Sequence, residues 1–443
     1  MRVTCVGAGY VGLVSGACLA ARGHSVTCVD VDPQRVAMIN AGRAPFHEPE
    51  LDALLTSVAG DRLLATVDLA AAVADSELTF IAVGTPTTDG AVDLRYVESA
   101  AVAIGGALRS RRAWHVVVVK STVVPGTTTG PVRRWLEASS GLVAGRDFGL
   151  AVNPEFLTEG TAVRDFTEPD RLVIGADDER TQYTVKTLYD NFDHSIPRLL
   201  VNPTTAEFIK YASNALLATM ISFSNELARL ASRVGDVDAL DVMRGVHLSG
   251  YLSPVRHGER ATAPIAAFLE AGCGFGGSCL PKDVRALIGR GRELGLDMPL
   301  LESVMTVNDG QPDEVCRLIY RHFPVLSGIR VTILGIAFKP DSDDVRESPT
   351  FPIVAVLRQQ NARITVYDPM VARCDFEALE GAVFAPTLAD AIQSADVIVI
   401  ATRWREFEAV PLLLRSLSST ALVVDGRRML RPADCLRYEG IGR

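Results

Sequence analysis

The stretch RVTCVGAGYVG, residues 2–12, opens the chain and decides its fold. Its first five residues form a short apolar run of the kind that becomes a buried β-strand, and residues 13–22 have the composition of a helix. A strand, a turn with three glycines and a helix are the start of a doubly wound α/β sheet that binds a dinucleotide. The sequence therefore predicts a nucleotide-binding unit at the amino terminus.

Each glycine of this turn has a separate predicted task. Gly7 makes the tight turn, Gly9 lets the backbone approach a pyrophosphate, and Gly12 allows the helix to pack closely on the strand. A second predicted strand, Ser25–Val29, ends on Asp30, which is placed to hydrogen-bond the adenosine ribose. An acid at this position favours NAD over NADP, although Arg35 leaves an opening for a 2′-phosphate.

Length and composition exclude several other classes of protein. A chain of 443 residues is too long for one ordinary core, so two or three domains are expected. The net charge of −9 argues against nucleic acid or an anionic membrane as the partner. Apolar runs fall well short of the roughly 20 residues that span a bilayer, and no signal peptide is visible. The eight scattered cysteines and seven dispersed histidines predict a cytoplasmic protein with reduced thiols and no metal site.

Further strands are predicted at 78–83, 116–120 and 149–152, and each is followed by polar residues. Thr85 and Thr122 follow the first two strands, at the edge where open α/β sheets bind ligands, so both are expected to face the cofactor. A role as a helix cap or turn residue remains open for each threonine. Glu155 and Glu159 leave the third strand together, either as functional carboxylates near the nicotinamide or as solvated surface groups.

Residues 204–233 read as one long helix that is apolar on most faces, as in a helix buried between domains or in a dimer. Lys210 and Asn214 are four residues apart and therefore share one face of this helix. A lysine in an apolar setting needs a partner or a task. The alternative is a lysine that reaches solvent along its stem beside a packed asparagine.

The segment GFGGSCLPKD, residues 274–283, carries the reactive chemistry. Three glycines permit a sharp turn and a close approach to a ligand, and Pro281 suits the first turn of a helix. Cys279 thus precedes a helix N-terminus, which favours a thiolate, with Lys282 and Asp283 beside it. The alternative is a buried structural cysteine next to a glycine-rich turn. Before this segment, residues 248–266 predict a loop.

A further unit begins near residue 325. Predicted strands at 329–334, 364–367, 397–401 and 421–425 repeat the order of the amino-terminal unit, and the second of them ends on Asp368. The glycine fingerprint after the first is degenerate, so this lobe is expected to hold some nucleotide other than the dinucleotide. The predicted domains are 1–200 for NAD, 201–310 for a central helical region with the cysteine, and 311–443 for the second lobe.

A cysteine that faces a nicotinamide indicates a particular reaction. A simple alcohol dehydrogenase needs no nucleophilic thiol, whereas further oxidation of the aldehyde does. The thiolate adds to the aldehyde, a second hydride leaves the thiohemiacetal, and water hydrolyses the thioester. The expected reaction is the four-electron oxidation of a primary alcohol to an acid.

Seven motifs, as a set, resemble the UDP-glucose/GDP-mannose dehydrogenase family along essentially the whole chain. They are GAGYVG (7–12), VGTP (83–86), STVVPGT (121–127), NPEFLTEG (153–160), KYASN (210–214), GFGGSCLPKD (274–283) and FK…DDVRESP (338–349). The fold implied is α/β: two Rossmann-like, doubly wound domains joined by a long central helix, with an α-helical region that builds a homodimer.

The resemblance also implies roles for individual residues. Cys279 would be the nucleophile, Lys210 with Asn214 beside it would stabilise the oxyanion at the sugar C6, and Asp283 with Thr122 would hold the hydrolytic water. Glu155 is similar to the family's acid/base. The implied NAD contacts are Gly7, Gly9, Tyr10, Val11, Gly12, Asp30, Arg35, Thr85, Thr122, Glu159, Lys282 and Arg346. The implied substrate contacts are Glu155, Phe156, Leu157, Glu159, Lys210, Asn214, Phe268, Leu269, Gly272, Gly276 and Lys339.

One departure bears on the sugar. Many UDP-glucose members have an arginine, supplied to the partner subunit, where this chain has Ala267, and Arg256 and Arg260 are the candidate substitutes. The NPEF form of the 153–156 motif favours glucose or mannose over an N-acetylhexosamine. UDP-glucose is the expected substrate, with GDP-mannose and then dTDP-glucose as alternatives. Two other classes remain: a single-step β-hydroxyacid dehydrogenase, and a redox sensor that binds NAD without catalysis.

Overall fold

The computed structural model describes residues 1–88, 91–256, 259–371 and 376–443. The chain divides into two compact units, Met1–Ser213 and Asn214–Arg443. Each unit contains a largely parallel sheet flanked by helices, and one long helix leads from the first unit into the second. The predicted fold class, with two doubly wound α/β sheets and a long central helix, is confirmed. The proposed three-domain boundaries stay a prediction.

The sheet of the first unit reverses its strand order in the middle. Its order is β10-β9-β8-β7-β4-β1-β2-β3, and every neighbouring pair is parallel except β8–β9. Successive strands run outward from β1 on one side and from β4 on the other, so a crevice opens where their carboxyl ends diverge. The strands of this unit are β1 Arg2–Val6, β2 Ser25–Val29, β3 Leu63–Thr66, β4 Leu78–Ile81, β5 Thr87–Thr88, β6 Ala91–Val92, β7 Val116–Val119, β8 Gly149–Val152, β9 Leu172–Ala176 and β10 Arg198–Val201.

Burial on both faces explains the composition of the central strands. All four valines of β7 are buried, because cores lie on both sides of the sheet. Such strands read as continuous β-branched runs with no polar alternation. The helices of this unit are α1 Tyr10–Ala21, α2 Pro33–Asn40, α3 Leu51–Val58, α4 Leu69–Asp75, α5 Arg95–Leu108, α6 Arg133–Ser140, α7 Ala162–Thr167 and α8 Glu179–Thr187, with a π-helical turn at Thr128–Val132.

The second unit repeats the same plan with fewer strands. Its sheet has the order β15-β14-β13-β16-β17-β18 and all neighbours are parallel. The four strands predicted at 329–334, 364–367, 397–401 and 421–425 are present within one or two residues of their expected bounds. The strands are β11 Val255–Arg256, β12 Glu259–Arg260, β13 Arg330–Leu334, β14 Arg363–Tyr367, β15 Val383–Phe384, β16 Val397–Ile400, β17 Leu422–Asp425 and β18 Tyr438–Gly440.

Helices occupy most of the chain between the two sheets. The predicted helix at 204–233 is α9, Pro203–Val234, and the predicted loop at 248–266 contains the β11–β12 hairpin and a 3₁₀ turn, Pro264–Phe268. No helix among the described residues is long and apolar enough to cross a membrane. The remaining helices are α10 Ala239–His247, α11 Leu280–Glu293, α12 Pro299–Asp309, α13 Gln311–Tyr320, α14 Thr350–Gln359, α15 Leu388–Ile392 and α16 Val410–Ser416, with 3₁₀ turns at Glu377–Leu379, Arg405–Ala409 and Pro432–Asp434.

Candidate active site

The three glycines after β1 are required for three different reasons. Gly7 has a φ of +95°, and a Cβ there would lie 2.7 Å from the Ala82 carbonyl oxygen. A Cβ on Gly12 would lie 1.9 Å from the Gly7 carbonyl oxygen. Gly9, in contrast, faces open space, since a Cβ there would meet nothing within 4 Å. The turn therefore fits a pyrophosphate over Gly9, in front of Tyr10 and Val11 at the start of α1.

Gly9→Ala and Gly12→Ala are expected to fail for different reasons. The Gly9→Ala methyl meets no protein atom, so the free energy of unfolding should change by less than about 0.5 kcal/mol, while NAD affinity falls about tenfold or more because the methyl takes the pyrophosphate's place. The Gly12→Ala methyl forces the backbone apart, and we expect a loss of about 2 kcal/mol or more. Chemical denaturation and calorimetric NAD titration separate the two. Unaltered NAD binding by Gly9→Ala would contradict the assignment.

Asp30 directly follows β2 at the carboxyl edge of the sheet, as the sequence predicts. Its carboxylate is 9% exposed and accepts hydrogen bonds from the backbone N–H groups of Ala8 (2.9 Å) and Asp32 (3.0 Å). The Arg35 guanidinium lies 3.2 Å away and completes an ion pair. A carboxylate has about four acceptor positions, so one remains for a ribose hydroxyl. Arg35 is thus engaged with Asp30, which supports NAD as the dinucleotide.

The corresponding positions of the second sheet are closed to a dinucleotide. Asp368 follows β14 as Asp30 follows β2, but it accepts five hydrogen bonds, from the backbone of Ile336, Ala337, Met370 and Val371 and from the Trp404 indole. These donors use all the acceptor positions of the carboxylate. A Cβ on Gly335 would lie 2.4 Å from the Thr402 side chain. Gly335 is therefore a packed turn glycine like Gly7, and the two positions differ in the saturation of Asp368.

Thr85 and Thr122 lie together at the carboxyl edge of the first sheet. The Thr85 hydroxyl donates to the Thr122 carbonyl oxygen at 2.9 Å, and both side chains are half-buried. The loop that carries Thr122 is tied down by Glu207, which accepts from the backbone N–H groups of Gly126 (2.6 Å) and Thr128 (2.8 Å). Glu207 is buried on α9, and the sequence analysis did not identify it.

Glu155 and Lys210 form a buried ion pair in the first unit. Glu155 Oε1 lies 3.0 Å from Lys210 Nζ, and the two side chains are 7% and 6% exposed. Burial alone would raise the pKa of Glu155, but the charges of Lys210 and Lys120 and hydrogen bonds from Lys210 and the Leu157 N–H outweigh it and lower the pKa. The pair thus places a carboxylate and an ammonium where the sequence analysis expected them, and neither is a solvated surface group.

A cavity of about 280 Å³ lies beside this pair, within the first unit. Its lining includes three predicted substrate residues, Glu155, Phe156 and Leu157. It also includes Lys120 and Tyr189, which the sequence analysis did not identify as site residues. The signal that was available for Lys120 is a charged residue directly after the apolar run of β7.

Glu159 is half-buried in the same segment, near Tyr10. Glu48 links the end of this segment to the glycine turn after β1. It is buried and accepts hydrogen bonds from the Tyr10 hydroxyl, the Gly160 N–H (2.7 Å) and the Ala162 N–H (2.8 Å). Glu48 therefore connects the cofactor turn to the NPEFLTEG segment. Local sequence gives no sign of this role, because two of its three partners, Gly160 and Ala162, are more than a hundred residues away.

Cys279 is exposed and is the N-cap residue of α11, which has Pro281 in its first turn. The Cys279 carbonyl oxygen accepts the Asp283 N–H at 2.9 Å, the first hydrogen bond of the helix. Its Sγ lies 3.6 Å from the Ser278 hydroxyl. The predicted position before a helix N-terminus is confirmed, and the alternative of a buried structural cysteine is wrong.

Asp283 is buried within the cysteine segment, residues 274–283, at 1% exposure. It accepts from the Asn214 amide and from the Lys282 ammonium, each at 2.6 Å. Asn214 lies at the start of the second unit, one helical turn beyond Lys210 on α9. The structure thus joins three predicted site residues, Asn214, Lys282 and Asp283, in one polar cluster that begins one turn after Cys279.

The glycines of the cysteine segment have a structural reason that differs from the predicted one. A Cβ on Gly276 would lie 2.2 Å from the Glu347 carbonyl oxygen, and one on Gly277 would lie 2.7 Å from the Phe338 ring. A Cβ on Gly274 would lie 2.7 Å from Asn308 Oδ1. All three face protein atoms of the same unit, so close packing excludes larger residues there and holds the loop rigid in front of Cys279.

The other predicted substrate and cofactor residues of the second unit are placed as follows. Leu269 is buried and Phe268 is half-buried. Gly272 is fixed by the Asn225 side chain (2.7 Å) and by Gln311 (2.5 Å). Arg346 forms a two-pronged pair with Asp344 at 2.8 Å, and Lys339 lies near the Phe338 ring.

The departure from the family pattern at Ala267, and one of its two candidate substitutes, Arg260, lie among the described residues. Ala267 is exposed in the 3₁₀ turn. The Arg260 guanidinium donates to the Leu248 (2.6 Å) and Ser253 (3.0 Å) carbonyl oxygens of its own loop. The side chain of Arg256 lies outside the described part of the chain.

Comparison with known proteins agrees along the whole chain. Residues 1–193, 204–310 and 332–432 match the NAD binding, central and UDP binding domains of the UDP-glucose/GDP-mannose dehydrogenase family. The UDP-glucose 6-dehydrogenase AglM of Haloferax volcanii is 39% identical, with 100% of both chains covered. The GDP-mannose 6-dehydrogenase of Pseudomonas putida is 38% identical over 93% of each chain.

A solved structure is similar to the same extent. It is that of a UDP-glucose dehydrogenase from Pyrobaculum islandicum, with a TM-score of 0.89 and 38% identity, covering 100% of this chain and 97% of the other. Fold, cofactor turn and cysteine segment thus agree with the family models over their full extent. This chain belongs to the UDP-glucose/GDP-mannose dehydrogenase family of NAD-dependent enzymes.

Proposed function

We propose that this protein is a UDP-glucose 6-dehydrogenase. It oxidises the C6 alcohol of UDP-glucose to a carboxylate, with consumption of two NAD⁺ and one water and release of two NADH and three protons. The observation that carries the proposal is the exposed Cys279 at the N-cap of α11, with Asp283 one turn later. A one-step alcohol dehydrogenase has no use for a thiol in this position.

Cys279 acts as the nucleophile. Its sulfur adds to the C6 aldehyde to form a thiohemiacetal, which is oxidised to a thioester and hydrolysed. NAD, when bound, accepts the hydride of each oxidation. The free N–H groups at the start of α11 favour negative charge on the thiol and on the oxygen that develops beside it.

Asp283 holds the hydrolytic water. Its two hydrogen bonds, from Asn214 and Lys282, hold the buried carboxylate in one orientation, from which it can accept a proton from water as the thioester is attacked. Thr122, whose carbonyl is bonded to Thr85, contributes to orienting this water.

Lys210 stabilises the oxyanion at C6, and Glu155 acts as the acid/base. The ion pair between them fits both tasks, because each group is charged and fixed in place without solvent. Glu155 is thus an ionised base in the resting enzyme, consistent with its lowered pKa.

The remaining predicted residues bind the two ligands. We assign the glycine turn, Tyr10, Val11, Asp30, Arg35, Thr85, Glu159, Lys282 and Arg346 to NAD. The substrate residues are Phe156, Leu157, Phe268, Leu269, Gly272, Gly276 and Lys339. The support for most of them is their position at the carboxyl edge of a sheet or on the 274–283 segment, whereas Phe268, Leu269, Gly272 and Arg346 are assigned by resemblance alone.

The name of a full-length relative favours UDP-glucose over GDP-mannose. The relative from Haloferax volcanii, which matches over the full length of both chains, carries the name UDP-glucose 6-dehydrogenase. The NPEF form of the 153–156 motif, by resemblance, favours glucose or mannose over an N-acetylhexosamine and does not separate these two sugars. Ala267 is the residue to examine if another sugar nucleotide is used.

The deciding experiment measures NADH release from the purified protein with NAD and a panel of UDP-glucose, GDP-mannose, dTDP-glucose and UDP-N-acetylhexosamines. We expect two NADH per UDP-glucose, with UDP-glucuronate as product. Turnover of another member alone would keep the reaction and overturn the substrate. One NADH per substrate would indicate a single-step dehydrogenase, and NAD binding without turnover of any member would indicate a sensor.

We also propose that two copies associate through α9. Leu216, Phe223 and Leu230 are 52%, 48% and 60% exposed and recur every seven residues, the spacing at which helices pair with each other. Such a stripe on a 32-residue helix is costly to leave in water. Light scattering should give a dimer mass, and a monomer at micromolar concentration would overturn this assignment.

We place the three proposed domains at 1–200, 201–310 and 311–443, and the protein in the cytoplasm. The cytoplasmic location rests on Cys279, since a nucleophilic thiol must stay reduced and the cytoplasm keeps thiols reduced.

A further inference from the structure

Lys120 is a buried lysine for which the proposed reaction has no task. It directly follows β7 and is 3% exposed. Its Nζ donates to Asn153 Oδ1 at 3.0 Å and lies 5.5 Å and 5.7 Å from the Phe80 and Phe166 ring centroids. A charged group in such surroundings costs stability unless it has a function or a partner.

Asn153 is the first residue of the NPEFLTEG segment and therefore precedes Glu155 by two residues. Both polar atoms of its side chain are engaged: Oδ1 also accepts the Tyr189 hydroxyl at 2.5 Å, and Nδ2 donates to the Val173 carbonyl oxygen at 2.8 Å. Lys120 and Tyr189 thus fix Asn153 from two sides. Since Asn153 and Glu155 leave β8 together, whatever fixes the first limits the movement of the second.

Several titratable groups act on the charge of Lys120. Burial lowers the pKa of Lys120 to about 8, the Glu155 and Cys5 side chains raise it, and Lys210 lowers it. In return, the charge of Lys120 lowers the pKa of Glu155. The cavity beside them is lined also by four further charged groups, Asp165, Glu168, Asp170 and Arg171.

We propose that Lys120 is a positioning residue for Glu155: it fixes the Asn153–Glu155 turn through Asn153 and keeps the Glu155 carboxylate charged. This inference rests on the proposed function of Glu155 as the acid/base. Lys210 neutralises Glu155 directly, and Lys120 provides a second positive charge from the opposite end of the segment.

The test compares Lys120→Met with Lys186→Met, an exposed lysine of α8 in the same unit. In Lys120→Met we expect kcat/KM for the nucleotide sugar to fall about tenfold to a hundredfold, with the KM for NAD unchanged. The acidic limb of the pH profile should move up by about one pH unit, because Glu155 loses a nearby positive charge. Lys186→Met should behave as the wild type in every measurement.

Stability provides a readout that a purely structural role would not produce. A lysine whose pKa is lower in the folded state destabilises the fold below that pKa, and the penalty disappears as the pH rises from about 8 towards the unfolded value near 10.5. The wild type should therefore gain stability over this range relative to Lys120→Met. At pH 7 the variant should unfold at the same temperature as the wild type or higher, although it is less active.

Tyr189→Phe is the second variant, because it removes only the hydroxyl that shares Asn153 and leaves the ring in place. We expect a smaller shift of the acidic limb in the same direction. If the acidic limb of the pH profile lies at the wild-type pH in both variants, the proposal is overturned, whether or not the rate falls. A lower unfolding temperature of Lys120→Met with an unmoved limb would make Lys120 a structural residue only.

The inference can fail separately from the proposed function. If the wild type oxidises no nucleotide sugar, the function fails, and infrared titration of the Glu155 carboxyl, assigned with Glu155→Gln, still tests Lys120. A Glu155 titration at the same pH in wild type and Lys120→Met would then overturn the inference.

Discussion

Cys279→Ser is expected to lower the rate of acid formation by about a thousandfold or more, with binding of the nucleotide sugar nearly unchanged. A serine hydroxyl occupies the same N-cap position but is not ionised at neutral pH, so it cannot add to the aldehyde at a useful rate. Cys279 is exposed and caps α11, and its Sγ has the Ser278 hydroxyl as a neighbour. The substitution should therefore remove the chemistry without disturbing the loop.

Chromatography measures the amount of sugar-nucleotide acid formed per NADH. Mass spectrometry of wild-type enzyme, quenched at low pH during turnover, detects the thioester between the enzyme and the sugar nucleotide. Cys435→Ser is the matched control, because Cys435 is a half-buried cysteine of the same unit that burial keeps protonated, with its pKa raised to about 11. Acid formation by Cys279→Ser at close to the wild-type rate would contradict the covalent mechanism and favour a one-step dehydrogenase.

Lys210→Met is expected to cause the largest loss of stability. It removes one half of a buried ion pair and leaves Glu155 as an unpaired charge, which costs about 3–5 kcal/mol of the free energy of unfolding. Loss of the oxyanion partner should lower kcat by about a hundredfold to a thousandfold. Urea denaturation and steady-state kinetics measure the two effects independently.

A double-mutant cycle with Glu155→Gln separates stability from catalysis. The double variant should recover much of the stability, because neither charge is left unpaired, but none of the activity. Arg233→Met, on the same helix, removes a guanidinium that is 65% exposed and 3.8 Å from Glu314, and it should cost less than about 1 kcal/mol. Equal stability of Lys210→Met and Arg233→Met would show that the pair is not buried in solution.

The same pair has a defined pH dependence. The pKa of Glu155 is lowered in the folded state, so its stabilising contribution is complete above the unfolded value, about 4.3, and is lost as the pH falls through the folded pKa. In Lys210→Met the buried and unpaired Glu155 has a raised pKa, so the difference in stability from the wild type should shrink as the pH falls, beginning above the unfolded value of about 4.3. A difference that grows in acid would contradict the ion pair.

Much of the fold follows from local sequence. The turn after β1, the β-branched run of β7 and the uninterrupted 32 residues of α9 were predictable because neighbouring residues set backbone geometry and periodicity. Cys279 before a helix was predictable for the same reason: Pro281 and the apolar spacing that follows define the start of α11. These features depend on contacts within a few residues.

The supporting residues of the site were not predictable in this way. Glu48 accepts hydrogen bonds from groups 112 and 114 residues away, Glu207 from groups 79 and 81 away, and Lys120 is bonded to Asn153, 33 residues later. No local pattern links these partners, because each contact exists only once separate strands and helices have packed. Their burial, which gives them their electrostatic effect, is equally absent from the sequence.

Asp30 and Asp368 illustrate the difference most directly. Both follow a strand that pairs with a preceding strand and glycine turn, and by sequence alone both could bind a ribose. The chain itself determines the strand, the turn and the acid in each case. Only the tertiary structure decides that Asp368 is saturated by five donors beneath Trp404, whereas Asp30 keeps an acceptor position, because hydrogen-bond capacity depends on which distant groups fold against it.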